Sequence, residues 1–421
     1  MTTRKLLVGL LVAVVVIETA LLAYQIPAVH DRLAWRLLEF EAGVRDYFFP
    51  HPDTLATPDP MRIAIMQATM TAAKRNELEM TPSPSPTINE IDPPLPSVTP
   101  TVTPALPERV VLPFDGWMKQ HWNNCAAANL TMMLNFWGWD GDQETAGSAL
   151  KPYWDDKNVM PYELERYVLD YTGFGIAVRT GGNLDDLRRL IAAGFPVMIE
   201  KGFDVVDRDL GWMGHYLFIV GYDDAQRVVI TQDSYLGPDS PVEYNMLIYD
   251  WRAFNFVYLV AYPWDRQPEV VALLGTDADL EANRAATLQL AQEETETLEG
   301  QSLAFAYFNL GSTHVSRFEY VDAAYAYHMA RSIGLPWRFL WYQTGPYFAY
   351  YYSGWYQDVI DLANETLNAQ EHLEESWYWR GMARFQLGDR QGAIDDWRSA
   401  LRWHPGFPPA LEQLIALGEV A

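Results

Sequence analysis

The sequence predicts an α+β central domain followed by an all-α repeat domain, with a transmembrane helix at the N-terminus. Three observations carry this reading. An apolar run at 6–24 follows Arg4-Lys5. Between residues 109 and 264 the apolar periodicity changes from helical to strand-like. From residue 277 onward, small and aromatic residues return at a period of about 34 residues.

The chain has 421 residues, of which 49% are hydrophobic and 14% aromatic, enough material for more than one packed core. Its net charge of −25 opposes binding to a phosphate backbone, so a nucleic-acid partner is not expected. Cys125 is the one cysteine, which excludes an intramolecular disulfide and a cysteine-rich zinc site. The eight histidines form no HExxH pair, and no glycine-rich phosphate loop is present. No metal and no cofactor are expected.

At 1.5 Å per residue the run at 6–24 reaches roughly 28 Å, close to the thickness of a bilayer core. A cut after Ala23 or Ala28 would place Leu21 or Ile26 where a signal peptidase prefers a small residue, so residues 1–27 read as an uncleaved anchor. Residues 28–80 form a juxtamembrane region. In it Leu33, Leu37, Phe40, Val44 and Phe48 mark an amphipathic helix. Residues 81–108 are dominated by Thr-Pro and Ser-Pro dipeptides, an extended spacer unable to bury apolar area. A spacer beside an anchor points to a single-pass membrane protein whose soluble part is extracytoplasmic.

Residues 109–264 are the first globular domain. Helices are expected at 125–137, 143–150, 161–171 and 184–193. Strands are expected at 175–179, 196–199, 215–220, 228–231, 246–249 and 257–262, with a hairpin turn at Gly221-Tyr222-Asp223-Asp224. Helices first and an antiparallel sheet after them is an α+β order. Residues 277–421 form the second domain. Its clearest copy carries Trp377, Gly381, Gly388, Ala393, Trp397, Ala400 and Pro405; an earlier one carries Tyr307, Leu310, Gly311, Ala323, Tyr327 and Ala330. Gly354, Tyr356, Val359, Ala363 and Leu367 mark a degenerate copy between them. This block resembles tetratricopeptide repeats, which implies paired helices and a groove that recruits a protein partner.

Cys125 stands directly before an amphipathic helix, where free amides and the helix dipole favour a thiolate. Gln120, five residues upstream, can bring its side-chain NH₂ beside the Cys125 amide to make a two-donor oxyanion site. His30 and His51 precede the spacer, and His314, His328, His372 and His404 lie in the repeats. His121 belongs to the cysteine's own loop, which leaves His215, on an apolar strand, as the base. The return strand ends at Asp233, level with His215 and able to orient its ring. Asp223 and Asp224 read as turn residues. The sequons at Asn129 and Asn364 fall inside expected helices and are discounted.

Glutamine five residues before a cysteine that opens a helix, a Gly-His strand, a Gly-Tyr-Asp-Asp turn and an aspartate after it resemble the papain-like fold. The resemblance is closest to the bacteriocin-processing, double-glycine leader peptidase group. The stretch 183–197, a helix followed by Ala-Gly-Phe-Pro-Val, is similar to that group's middle section. The resemblance implies a cysteine peptidase with Cys125 as nucleophile, His215 as general base, Asp233 as orienter and Gln120 as oxyanion donor, acting on a peptide or protein substrate. The group carries Gly-Pro after the cysteine where this chain has Ala126-Ala127. The alternatives are a catalytically silent papain-like scaffold and an acyl transferase or amidase using the same residues.

Overall fold

In the computed structural model the described residues are 18–19, 22, 54–58, 105–151, 153, 156, 158–204 and 211–419. They form an α+β domain with an antiparallel sheet, followed by an all-α region. Among them no helix is long and apolar enough to cross a membrane. The anticipated span at 6–24 lies outside the described residues except for residues 18, 19 and 22, and the juxtamembrane helix and most of the spacer lie outside them too.

The α+β domain begins with β1 (Arg109–Val111). Three helices follow: α1 (Cys125–Phe136), α2 (Gln143–Leu150) and α3 (Pro161–Tyr171). Then come β2 (Gly175–Arg179), α4 (Leu184–Ala192), β3 (Val197–Asp204), β4 (Trp212–Asp223), β5 (Val228–Asp233), β6 (Gly237–Glu243), α5 (Tyr244–Arg252) and β7 (Tyr258–Tyr262). The sheet order is β2-β7-β3-β4-β5-β6, with β1 added to β4, and every pairing is antiparallel. Period-two alternation divides β4 between two cores. Tyr216, Phe218 and Val220 pack under α1, while Leu217 and Ile219 pack with Leu187, Leu190 and Ile191 of α4. Asn183 caps α4 by accepting from the amides of Asp185 and Asp186, while Asp186 returns a bond to the Asn183 amide.

Three local expectations change. The segment at 246–249 is helical, because Tyr244, Leu247 and Trp251, spaced three and four apart, are the residues that face the core. The polar, proline-containing edge strand β6 has no apolar alternation to announce it. The turn moves to 224–227, since β4 runs on through Gly221, where β1 pairs with it. A Cβ at Gly221 would meet the Val110 carbonyl oxygen at 2.7 Å, so this glycine serves a close strand approach.

The helical region comprises α6 (Gln267–Leu274), α7 (Leu280–Thr297), α8 (Gly300–Ser316), α9 (Tyr320–Ile333), α10 (Phe339–Tyr342), α11 (Gly345–Tyr352), α12 (Tyr356–Ala369), α13 (Glu374–Gln386), α14 (Arg390–Trp403) and α15 (Pro408–Ala416). Gly311 lies against the ring of Tyr327, and Gly381 lies against that of Trp397, where a Cβ would meet the indole at 2.7 Å. The small residue on one helix admits the large aromatic of its partner at the same offset in both pairs.

One core joins the two regions. Phe254 and Val257, flanking the approach to β7, are buried together with Phe305, Phe308 and Phe339. Trp212 at the start of β4 stacks on Phe254 at 5.8 Å and on Phe339 at 4.9 Å. Residues 54–58 dock on the helical region as well. The Leu55 amide donates to the Leu335 carbonyl at 3.0 Å, and the Leu55 side chain is 2% exposed within the shared core. Arg331 donates from Nη2 to the Ala56 carbonyl at 2.9 Å, and Glu365 accepts the Ala56 amide at 2.8 Å. A short extended segment from before the spacer is thus held by main-chain bonds and one buried side chain.

Two outcomes follow from this packing. Leu55→Asp, which places a charge in an apolar site, should lower the unfolding free energy by roughly 2–3 kcal/mol in guanidinium titration. Phe339→Ala should cost roughly 3–5 kcal/mol. Because the core is shared, it should lower one common unfolding transition, read alike by near-ultraviolet circular dichroism and by exposure of the Cys125 thiol.

Candidate active site

Two residues with ties to several segments hold the loop before α1. Gln143 accepts the His121 amide at 2.8 Å and the Asn124 side chain at 3.0 Å, and donates to the Lys119 carbonyl at 2.8 Å. Lys151 donates to the Asn123 carbonyl at 3.0 Å. Asn123 takes a φ of 48°, a left-handed conformation that asparagine tolerates, and turns the chain into the helix. Cys125 is therefore the first residue of α1, where the amides have no preceding carbonyl to bond.

β4 and β5 part beyond the Phe218–Gln232 pair, and the helix N-terminus fits against the opening. There the Cys125 thiol is hydrogen-bonded to His215 and to the Tyr216 backbone amide. On the far side of the ring, His215 Nε2 lies 3.1 Å from Asp233 Oδ1. That oxygen also accepts the amides of Tyr235 at 2.7 Å and Leu236 at 3.0 Å. Trp117 Nε1 donates to the Asp233 carbonyl at 2.9 Å, and the Phe203 ring lies 5.1 Å from the imidazole. The structure thus brings Cys125, His215 and Asp233 into one chain of hydrogen bonds.

Gln120 joins them from the other side. Its amide donates to the Ser234 carbonyl at 2.9 Å, and its Oε1 accepts from Ser234 Oγ at 2.8 Å. With Oε1 engaged, the side-chain NH₂ is the end left for another acceptor. Apart from these, His121 pairs with Glu144 at 2.9 Å, the turn residue Asp223 binds Arg109 at 3.2 Å, and Trp212 packs against the shared core.

Two residues of the site escaped the sequence reading as functional candidates. Asn129, fully buried on α1, has its Nδ2 2.8 Å from Cys125 O, 2.9 Å from Tyr216 O and 2.8 Å from Ser234 Oγ, its two hydrogens shared among the three acceptors. Ser234 relays that bond to Gln120. The available signal for Asn129 was a polar residue one turn after the cysteine, between apolar residues of a mostly apolar helix.

Burial by itself raises the Cys125 pKa, but the hydrogen bond and positive charge of His215 more than offset this, and the thiol falls below its ordinary range. Burial opposes the His215 cation; Asp233 and Cys125 outweigh it and raise the imidazolium to about 9. Burial likewise opposes the Asp233 carboxylate, and the His215 charge with the two backbone amides lowers it to about 2. These shifts favour a thiolate–imidazolium pair held by a carboxylate. Among the described residues, no group of histidine, cysteine and carboxylate side chains has the form of a metal site.

Residues 112–261 match the family model described as the Peptidase_C39 like family. This stretch is a C39-like, papain-like domain, and its family is one of cysteine peptidases. Among solved structures, a Bacillus anthracis protein assigned as a C39-like peptidase is 17% identical, with 37% of this chain and 97% of that one covered and a TM-score of 0.29. Xylellain, a cysteine protease from Xylella fastidiosa, is also 17% identical, with 37% and 86% covered and a TM-score of 0.24. A search of the curated proteins finds no match.

The ion pair has a pH signature. Alkylation of Cys125 by iodoacetamide should reach its plateau below the ordinary thiol range, because the thiolate persists once His215 is protonated beside it. In His215→Ala the half-maximal pH should move upward, past that of a free thiol, since burial then acts unopposed. Equal pH profiles for the two proteins would contradict the pairing.

Proposed function

We propose that the C39-like domain is a thiol hydrolase that cleaves peptide amide bonds, with Cys125, His215 and Asp233 as its catalytic triad. One observation carries this reading: the chain's single cysteine, at a helix N-terminus, is hydrogen-bonded to a histidine whose other ring nitrogen is held by a buried aspartate. Thiolate attack on the amide carbon makes the S–C bond and sends the π electrons to oxygen. The Cys125 amide and the Gln120 side-chain NH₂ are the donors for that oxyanion. The His215 imidazolium then protonates the departing amine as the C–N bond breaks, leaving an acyl thioester and a neutral imidazole. That imidazole takes a proton from water, the hydroxide adds to the thioester, and the collapsing intermediate releases the acid and restores the ion pair.

The Ala126-Ala127 pair does not oppose this. Both side chains are buried in the core beneath α1, so their methyl groups point away from the thiol's open side. The same residues would serve an acyl transferase if an amine, not water, took the acyl group. The wider reading keeps the N-terminal span as a single-pass anchor, the soluble part extracytoplasmic, and the helical region as tetratricopeptide-like repeats that recruit a protein partner. The apolar run, the Thr/Pro spacer and the glycine–aromatic pairs Gly311–Tyr327 and Gly381–Trp397 support it.

Gln120→Ala should lower kcat on a fluorogenic peptide amide by roughly 10²–10³, while the alkylation rate of Cys125 by iodoacetamide stays as it was. Asp233→Asn should lower kcat by roughly 10⁴, through loss of the productive tautomer. If mass spectrometry of the intact chain with activated peptide esters at pH 7 reveals no Cys125 thioester, the domain is a silent scaffold.

A further inference from the structure

The helical region holds residues 54–58 chiefly by their main chain. Thr54 pairs with Pro336 in an antiparallel bridge, and the Leu55 amide donates to the Leu335 carbonyl at 3.0 Å. Both main-chain polar groups of Ala56 are then taken. Glu365 of α12 accepts its amide at 2.8 Å, and Arg331 of α9 donates to its carbonyl from Nη2 at 2.9 Å and from Nε at 3.2 Å. Leu55 is the side chain that enters the shared core, while Thr54, Ala56 and Thr57 are exposed.

The partners on the helices are suited to a peptide. Arg331 is 6% exposed, and besides the Ala56 carbonyl it reaches the Tyr350 hydroxyl at 3.4 Å. A buried guanidinium needs acceptors, and the peptide carbonyl supplies the shorter bond. Burial raises the Glu365 carboxyl, and the Ala56 amide and the Arg331 charge oppose that rise. A cation for the carbonyl and a carboxyl for the amide recognise extended backbone whatever its exposed side chains, and the Leu55 position adds a demand for one aliphatic group. The segment is a small ligand. One leucine and a few main-chain bonds bind weakly, but a tether keeps such a ligand seated by holding it at an effective concentration on the order of millimolar.

We propose that Arg331, Leu335 and Glu365 form a binding site for extended peptide segments that carry one aliphatic side chain, and that residues 54–58 of the same chain fill it as a displaceable plug. Its use rests on the reading of the helical region as a recruiter: a protein partner presenting such a segment competes with residues 54–58, so the chain restrains its own recruitment. The binding itself requires neither that partner nor hydrolysis.

A fluorescein-labelled peptide of residues 51–60, followed by anisotropy against the full chain, tests this. The Leu55→Asp chain, whose own segment cannot seat, should bind the peptide about 10²-fold more tightly than the unmodified chain, in which the tethered segment competes. A peptide with aspartate in place of its leucine should not bind. N-methylation of the peptide at the Ala56 amide removes the donor to Glu365 and should weaken binding about tenfold. With Glu365→Ala added to Leu55→Asp, the plain and N-methylated peptides should bind alike. Equal binding by the Leu55→Asp and unmodified chains, or none by a folded Leu55→Asp chain, would overturn the proposal. A dimer in light scattering that Leu55→Asp abolishes would place the segment on a second copy and overturn the assignment in cis. Should Leu55→Asp not fold, a protease site inserted after residue 80 of the unmodified chain decides the matter. After cleavage, excess 51–60 peptide should release the N-terminal fragment, and a fragment that stays bound is a fixed part of the core and rejects the plug. The assay contains no partner protein and no hydrolysis, so its failure leaves both of those readings standing.

Discussion

The side-chain amide of Asn129 is the tie on which the site depends. It joins three segments far apart in the chain: the cysteine's own helix, the backbone of β4 next to His215, and Ser234 after Asp233. A helix can present a thiol to a histidine on a strand only if the helix end and the strand are fixed in depth and rotation. An amide hydrogen-bonded to the backbone of both does that within the core. The same bond passes through Ser234 to Gln120, so Cys125, His215 and Gln120 share one fixed frame. The burial of Asn129 also explains why its sequon is not a glycosylation site.

Electrostatics then sets the protonation states inside this frame. Every member is buried or half-buried, so each charge is expensive alone and is tolerated only beside its partner. His215 is kept charged by Asp233 on one side and the thiolate on the other, and Asp233 is kept charged by His215 and two backbone amides. Glu200 shows the converse: one strand away and with no cation paired to it among the described residues, its carboxyl is pushed well above the usual carboxylate range by burial.

The helical region is part of the same construction. Trp212 begins the strand that carries His215, and it stacks on Phe339 of the helices as well as on Phe254 of its own domain. Gly214 is a glycine because Tyr342 occupies the space a side chain would need. Leu55 adds a third segment to this core from the far side of the spacer. A chain cut at the domain connection would lose the cover of Trp212, Phe254 and Val257.

By itself the sequence determined the α+β character of the first domain, most of the order of its elements, the helical character of the second region, and the residues whose chemistry the proposal uses. Local rules sufficed for these: apolar period, capping residues, and a cysteine followed by a helical pattern. The edge strand β6 and the helix α5 were misread for the same local reason, since a polar edge strand has no alternation and a short apolar run fits either period. Only the tertiary structure decided that Asn129 and Ser234 join the site and that residues 54–58 return to the helices. Each of these rests on contacts between residues tens to hundreds of positions apart. Such contacts are created when packing brings distant backbone together, and no spacing along the chain records them.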